Sequence, residues 1–262
     1  MVLERARLQN GLDVAFLNRA ELDFLYEEIF VREVYLKHGL VLPDGACVVD
    51  VGANIGLFSL WAATRARAVR LHAVEPIPEI FAALLTNAAK HFPRARLHRV
   101  ALGAVAEQAR FAYYPRATGW STRHPEPAAV RESLRAYVRA RGAHPLAARL
   151  ARHPRLFALA ARPLFHSVAR ECAVTTLSAL MRSEPLDAVD LLKIDVDGAE
   201  LEVLAGVDAA DWPRIRQVTL ECDGRTREPA VALLGEHGFQ VVAEQSTMLQ
   251  RTAYWHVYAG RR

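Results

Sequence analysis

The sequence is poor in cysteine and lysine and contains no long apolar run. Its three cysteines, Cys47, Cys172 and Cys222, form no Cys-x-x-Cys pair and have no zinc-ligand spacing. This excludes a disulfide framework and favours a reducing cytosol. Because no stretch of about eighteen apolar residues occurs, we expect no membrane association. The N-terminus also lacks the residue order of a signal peptide. We therefore expect a cytoplasmic protein that forms a single domain, residues 1–262.

Lysine supplies only three of the 33 basic side chains, and the arginines are unevenly distributed. Residues 123–170 contain ten arginines and two acids, a net charge of +8, whereas the whole chain carries +4. A local basic surface of this kind favours anionic partners. Residues 116–170 are also too long for an ordinary connection within a compact domain. We interpret them as a helical, arginine-rich insertion or lid; the alternative is a helical elaboration with a solvated basic face.

Hydrophobic periodicity places helices and strands alternately along the chain. Apolar positions in residues 21–39 predict an amphipathic helix within an N-terminal helical region, residues 1–45. Further strands and helices follow from short β-branched runs and from helical periodicity. The predicted strands are 47–52, 70–75, 97–102, 110–114, 189–196, 217–222, 239–243 and 254–258, and the predicted helices are 55–66, 78–91, 200–204 and 229–237. This alternation predicts an α/β fold with a mostly parallel sheet and an antiparallel terminal hairpin.

The strongest local motif is DVGANIG, residues 50–56, where the first of these parallel strands turns into a helix. Glycines at positions 52 and 56 allow the backbone to approach a ligand closely. Their G-x-x-x-G spacing differs from the G-x-G-x-x-G of dinucleotide sites, which argues against hydride transfer from a nicotinamide. The motif therefore favours a nucleoside ligand without phosphates.

A second motif supports a nucleoside. Glu75 lies 25 residues after Asp50, at the end of the second strand and before Pro76. An acid at this place accepts hydrogen bonds from ribose hydroxyls in nucleotide-binding folds. Since ligands bind at the carboxyl ends of parallel strands, we expect Gly52, Glu75, Leu102 and Asp195 to lie near one site.

Six segments together resemble the FkbM-type methyltransferases: VVDVGANIGLFSLWA, HAVEPIPEIFAAL, RVALGA, YYPRATGWST, LLKIDVDGAELEVLAG and VTLEC. The resemblance covers about residues 25–243. It implies a Rossmann-like class I methyltransferase fold, with a mostly parallel seven-stranded sheet, and S-adenosyl-L-methionine as donor. It further implies a donor site formed by Asp50, Gly52, Asn54, Gly56, Glu75, Pro76, Ala101 and Leu102. Members resembling this pattern usually methylate oxygen in polyketide, peptide and sugar pathways.

The densest polar cluster at a predicted strand end contains Lys193, Asp195 and Asp197, which share one face of the strand. Burying these charges is costly unless they are paired or serve a site. Asp195 is therefore a candidate for substrate alignment or proton removal, and Lys193 a candidate beside it. The alternative is a structural Lys–Asp pair.

Glu221 and Asp223 lie at the next strand end, where the resembled family often has Glu-x-His. Aspartate at position 223 leaves the general base open: Glu221, Asp223 or a histidine from elsewhere. Asp195, Glu221 and Asp223 are also hard oxygen ligands that a divalent cation would accept. Their spacing alone is weak evidence, and we expect no metal.

The most consistent interpretation is an O-methyltransferase acting on a hydroxyl of a small-molecule or carrier-bound natural-product intermediate. An acidic carrier protein would dock on the basic residues 123–170. One alternative is an RNA methyltransferase, suggested by a pI of about 9.1. Because the basic segment has few aromatic side chains for base stacking, we expect no nucleic acid. Another alternative is an inactive S-adenosylmethionine-binding scaffold, suggested by Asp223.

Overall fold

The structure is a computed structural model that describes residues 3–126, 131, 132, 134, 135, 138, 149–245 and 254–261. The strands are β1 (Glu4–Arg7), β2 (Asp13–Phe16), β3 (Cys47–Val51), β4 (Arg70–Val74), β5 (Arg96–His98), β6 (Ala101–Leu102), β7 (Glu107–Tyr113), β8 (Val168–Thr175), β9 (Leu191–Ile194), β10 (Gln217–Asp223), β11 (Gln240–Gln245) and β12 (Tyr254–Gly260). The α-helices are α1 (Arg19–Tyr26), α2 (Leu57–Arg65), α3 (Pro78–His91), α4 (Pro154–Ala161), α5 (Leu177–Ser183), α6 (Glu200–Ala205) and α7 (Arg227–Glu236).

The central sheet has seven strands in the order β11-β12-β10-β9-β3-β4-β5. Strands β5, β4, β3, β9 and β10 pair in parallel, whereas β12 runs antiparallel to both β10 and β11. This confirms the predicted mostly parallel, seven-stranded α/β sheet with its antiparallel terminal hairpin. The carboxyl ends of β3, β4, β9 and β10 therefore meet at one edge, which is where such folds bind ligands.

Helices cover both faces of the sheet, and the central strands are buried for that reason. Side chains of β3 alternate between two hydrophobic clusters: Val48 packs with residues of α2 and α3, and Val49 with residues of α5, α6 and α7. Every residue of β3 and β9 is buried, including the charged Asp50 and Lys193. Two opposite charges inside an otherwise apolar sheet indicate a pair with a specific task.

The predicted strand 97–102 is wrong as one element. The chain leaves the central sheet after β5, and β6 joins a separate three-stranded sheet in the order β6-β8-β7. Strand β8 lies at the end of the expected insertion and escaped prediction, because its exposed charged residues interrupt a simple apolar alternation. The insertion therefore ends before Val168. Residues 127–130 and most of 133–148 lie outside the described part of the chain, so the lid remains a prediction.

The predicted N-terminal helical region, residues 1–45, is wrong in its first part, where β1 and β2 pair as an antiparallel hairpin. The predicted helix over residues 21–39 is also too long. Helix α1 ends at Tyr26 and passes into a π-helical turn, Glu27–Val31. Glu33 and His38 then take positive φ angles of 47° and 53°, which no helix tolerates. The chain thus forms a loop before β3 and carries Tyr35 into the protein. Among the described helices, none has both the length and the apolar character that crossing a membrane requires.

Candidate functional site

A cavity of about 410 Å³ opens at the carboxyl ends of β3, β4, β9 and β10. Its volume lies in the range of small-molecule sites. Ten of the residues singled out from the sequence line it: Gly52, Asn54, Glu75, Pro76, Ala101, Leu102, Lys193, Asp195, Asp197 and Glu221. Three others, Asp50, Gly56 and Asp223, are not among its lining residues. The structure thus brings together most of the residues predicted to hold the donor and to perform the chemistry.

The two glycines of the β3–α2 turn have different tasks. Gly52 has a φ of +73°, and a Cβ there would stand 1.9 Å from the carbonyl oxygen of Asp195. Only glycine therefore lets this turn meet the end of β9. Gly56 has a φ of +87°, and a Cβ there would stand 2.6 Å from Leu84 Cδ1. Gly56 consequently serves the packing of α2 on α3 rather than contact with a ligand.

Lys193 joins the ends of β3 and β9 beneath the cavity. Its Nζ donates to the Gly52 carbonyl oxygen at 2.9 Å and lies 3.1 Å from Asp50 Oδ1 and 3.4 Å from Asp195 Oδ2. Burial opposes its charge, but the two carboxylates hold the pKa of Lys193 above its ordinary value. Since an ammonium has three donors and no acceptor, and three oxygens lie within 3.4 Å of Nζ, Lys193 positions the site and cannot accept a proton.

Asp50 completes this arrangement from below. It is fully buried, and its Oδ2 accepts a hydrogen bond from Ser59 Oγ at 2.8 Å. Asp50 thereby ties helix α2 to Lys193. The resemblance placed Asp50 in the donor pocket; the structure instead gives it a supporting position behind the pocket wall.

Glu75 presents a carboxylate to the cavity from the end of β4. Its Oε1 accepts from the Ile77 backbone N–H at 2.9 Å and its Oε2 from that of Asn54 at 3.2 Å. Burial raises the pKa of Glu75 to about 7. Each carboxylate oxygen can accept a second hydrogen bond, which leaves capacity for the hydroxyls of a ribose.

Asp195 lies where the cavity meets the loop after β9. Its Oδ2 accepts a hydrogen bond from Tyr35 Oη at 2.9 Å, and its side chain is 28% exposed. Burial raises the pKa of Tyr35 well above its ordinary value, so this hydroxyl remains a donor. Nearby, Thr122 Oγ1 donates to the Asp197 carbonyl oxygen at 2.7 Å and ties the GWST segment to the cavity wall. Asp195 is thus held in one orientation while remaining accessible.

Asp223 is directed away from the large cavity. Its carboxylate accepts from the Arg225 guanidinium at 2.7 Å and from the Arg225 and Thr226 backbone N–H groups. Burial acts against the charge, but these hydrogen bonds hold the pKa of Asp223 below its ordinary value. It lines a smaller neighbouring cavity with Asp197 and Glu200. Of the two carboxylates predicted at the end of β10, only Glu221 lines the large cavity.

Sequence reasoning missed two groups beside Glu221. The π-helical turn carries Glu28, which is 2% exposed, to the cavity, and β12 places His256, 1% exposed, opposite Glu221 in the ladder with β10. Burial raises the pKa of Glu28 to about 8 and that of Glu221 well above its ordinary value, and it lowers the pKa of His256 to about 4. The only available signal was His256 in the terminal hairpin, whose register the sequence does not specify.

Comparison with known proteins finds one matching family and several similar proteins. The family described as the methyltransferase FkbM domain matches residues 50–241. The 31-O-demethyl-FK506 methyltransferase FkbM of Streptomyces tacrolimicus is 43% identical over 100% of this chain and 98% of that protein. The AMB antimetabolite synthetase AmbE of Pseudomonas aeruginosa is 36% identical over 97% of this chain, which corresponds to 12% of that protein. A solved precorrin-6Y C5,15-methyltransferase from Geobacter metallireducens is 16% identical, with a TM-score of 0.47 and coverage of 89% of this chain and 88% of that one.

The methyl donor is S-adenosylmethionine. The cavity suits this molecule in four respects. Glu75 offers acceptors for a ribose, and the Cβ-free Gly52 keeps the adjoining turn close to the strand ends. Ala101 and Leu102 add an apolar wall for a purine base. The acidic lining near Asp195 and Glu221 also favours a ligand that carries a positive charge.

The buried carboxyl of Glu75 predicts pH-dependent donor binding. The pKa of Glu75 is about 7 in the folded protein, above the ordinary value of 4.5. The stability that the protonated carboxyl gives the ligand-free protein is therefore lost as the pH rises through about 7. Ribose hydroxyls donate to the ionised form, and binding therefore strengthens over the same range. We expect S-adenosylhomocysteine affinity, measured by calorimetry, to rise about tenfold from pH 6 to pH 8.

Two substitutions separate this effect from other titrations. Glu75→Gln should bind weakly and without this slope. Glu200→Gln removes another buried carboxyl whose pKa is about 7 but which lies outside the large cavity, and it should keep the slope. A slope that persists in Glu75→Gln would contradict the ribose role.

Removing the charge of Lys193 should lower the free energy of unfolding. Lys193→Met leaves Asp50 and Asp195 without their cation, and an uncompensated buried charge costs about 3–5 kcal/mol in the free energy of unfolding. Adding Asp50→Asn removes one of the two orphaned charges and should restore part of the loss. Urea denaturation measures both. Lys90→Met is the matched control, because its ion pair with Asp13 is exposed and should matter little. Equal losses of stability in the two lysine variants would contradict the role of Lys193 as the shared cation of Asp50 and Asp195.

Proposed function

The chain belongs to the FkbM methyltransferase family, and we propose that it transfers methyl from S-adenosylmethionine to a hydroxyl oxygen of a small-molecule or carrier-bound natural-product intermediate. The observation that carries this proposal is one cavity lined by both Glu75 and Asp195, at the ends of β4 and β9. It pairs an acceptor for a nucleoside with an oriented carboxylate for an alcohol. The name of the Streptomyces relative, 31-O-demethyl-FK506 methyltransferase, supports oxygen as the atom that is methylated.

Donor binding depends on the wall formed by β3, β4 and β6. Glu75 would accept the ribose hydroxyls and Leu102 and Ala101 would pack against the base, while Gly52 lets the turn meet the end of β9. When bound, S-adenosylmethionine supplies an electrophilic methyl group on a sulfonium. The residues opposite must then hold the acceptor oxygen in line with that methyl group, because alignment provides most of the rate increase in such a displacement.

Asp195 is the residue that we assign to the acceptor. Tyr35 and Lys193 hold its Oδ2, so that the carboxylate has one fixed orientation toward the cavity. It accepts a hydrogen bond from the acceptor hydroxyl and takes the proton as the oxygen–carbon bond forms and the carbon–sulfur bond breaks. A carboxylate that takes this proton at the moment of transfer contributes about 10²–10⁴-fold in rate.

Methyl transfer onto purified hydroxylated substrates, free or as pantetheine thioesters, tests the proposal by mass spectrometry. Asp195→Asn should lower kcat by about 10²-fold or more while S-adenosylhomocysteine affinity changes little. Asp187→Asn, an exposed aspartate outside the cavity, is the control and should retain activity. Methylation of amine analogues instead of alcohols would contradict oxygen as the acceptor. Donor binding with no transfer to any substrate would favour the scaffold alternative.

The carrier-bound form of the substrate is supported by the surface beside the cavity. Leu134 and Leu164 of the predicted insertion line the cavity, and Phe165 stacks on Trp120 at 5.7 Å between ring centroids. The same segment has five exposed arginines among its described residues: Arg116, Arg149, Arg152, Arg155 and Arg162. Helix α4 also exposes Leu156 and Leu159. We propose that an acidic carrier protein docks on this basic and apolar surface and delivers its acyl group to the adjacent cavity.

Charge reversal tests the docking surface. The triple variant Arg152→Glu, Arg155→Glu and Arg162→Glu should raise KM for a carrier-bound substrate at low salt, because these residues would repel an acidic carrier. The same variant should methylate the free pantetheine thioester at the wild-type rate. Added salt should reduce the difference between wild type and variant. Unchanged kinetics on the carrier-bound substrate would exclude docking on this surface.

A further inference from the structure

Three potential metal ligands meet at the inner end of the cavity. One ligand atom from each of Glu28, Glu221 and His256 can be chosen so that all three lie within 4.8 Å of one another. His256 Nε2 is 4.0 Å from Glu28 Oε1 and 3.8 Å from Glu221 Oε2. The atoms of a cation's coordination shell, at bond lengths of about 2.0–2.2 Å, stand roughly 3–4 Å apart. Small side-chain rotations therefore suffice to close this cluster around one ion.

Three buried polar atoms of the cluster have no hydrogen-bond partner among the described residues. Neither ring nitrogen of His256 has a hydrogen bond to a described residue, and neither does Glu28 Oε1. His256 is 1% exposed and Glu28 is 2% exposed, so bulk water does not reach these side chains freely. A buried polar group without a partner costs about 1–3 kcal/mol, and three in one place indicate a ligand that satisfies them together.

The charge around the cluster points to a cation. Glu28 and Glu221 have no lysine or arginine within ion-pair distance among the described residues; His256 is their nearest basic group. The ammonium of Lys193 is engaged by Asp50, Asp195 and the Gly52 carbonyl oxygen. Two buried carboxyl groups beside a neutral imidazole therefore form a donor set that a divalent ion would neutralise.

The backbone builds the cluster from three separate elements. Glu28 comes from the π-helical turn Glu27–Val31 at the end of α1, and such single π turns occur frequently at functional sites. Glu221 and His256 are directly opposite each other in the β10–β12 ladder. Because Glu28 and Glu221 both line the cavity and His256 does not, an ion held here faces the cavity on one side.

We propose that Glu28, Glu221 and His256 bind one divalent first-row transition cation at the inner end of the cavity. An imidazole nitrogen with two carboxylates suits Mn²⁺, Fe²⁺, Co²⁺ or Zn²⁺, whereas Ca²⁺ requires six to eight oxygen ligands. The position facing the cavity is left for a water molecule. This binding does not depend on the methylation chemistry. A second consequence, that the ion orients the acceptor hydroxyl beside Asp195, rests on the proposed function.

Calorimetry on the full-length protein, freed of metal by a chelator, tests the site without donor or acceptor. We expect one Zn²⁺ or Mn²⁺ per chain, with Zn²⁺ the tighter of the two, and no comparable binding of Ca²⁺. Glu28→Gln, Glu221→Gln and His256→Gln should each weaken binding by about tenfold or more, since even losing a group that only supports a ligand costs this much. Glu200→Gln and His72→Gln are matched controls, a buried carboxyl and a buried histidine outside the cluster, and should bind normally.

Thermal unfolding gives a second measurement that a merely structural cluster would not reproduce. Without metal, Glu28→Gln should melt at or above the wild-type temperature, because one buried carboxyl is removed. With Zn²⁺ or Mn²⁺, the wild type should gain stability and the variant should not. Absence of stoichiometric binding, binding that survives all three substitutions, or loss of binding in His72→Gln would each overturn the site. Intact binding with no methyl transfer would instead count against the proposed function.

Discussion

The site depends on a single buried ammonium. Lys193, a residue of β9 that pairs with Asp50 of the parallel strand β3, is the counter-charge of Asp50 and Asp195, and its Nζ also donates to the Gly52 carbonyl oxygen of the β3–α2 turn. The turn that we assign to the donor site and the carboxylate that we assign to the acceptor are therefore positioned by the same atom. A buried ion pair contributes little net stability, but its loss leaves a charge that the interior cannot solvate. This constraint explains why the site tolerates charged residues on the two most buried strands.

Burial and hydrogen bonding determine the pKa values of the carboxyl groups around Lys193. Glu75 and Glu28 have pKa values of about 7 and 8, whereas Asp223, outside the large cavity and bonded to Arg225, has its pKa lowered. Groups that titrate near neutrality are common where a protein binds ligands or moves protons. An acidic, desolvated cavity also suits a donor whose reactive group is a sulfonium. The same cavity thus contains the proposed donor site, the proposed proton acceptor and the proposed cation site.

The strand order explains how these groups converge from distant parts of the chain. Parallel strands end at one edge, so Gly52, Glu75, Asp195 and Glu221 come together although 169 residues separate the first from the last. Antiparallel β12 then supplies His256 from the opposite direction. The polar groups rest on strands packed by helices on both faces, which limits their movement and keeps the distances between them constant.

Local sequence determined the elements whose periodicity or turn chemistry is strong. Helix α3 was predicted with its observed bounds, Pro78–His91, because proline begins it and apolar residues recur on one face. The glycine motif after β3 and the acid after β4 likewise indicated a nucleoside site. Only the tertiary structure decided three features: the end of α1 in a π-helical turn, the departure of β6 into a second sheet, and the register that sets His256 against Glu221. Each depends on packing between segments far apart in the chain, and hydrophobic periodicity within one segment carries no information about its partner.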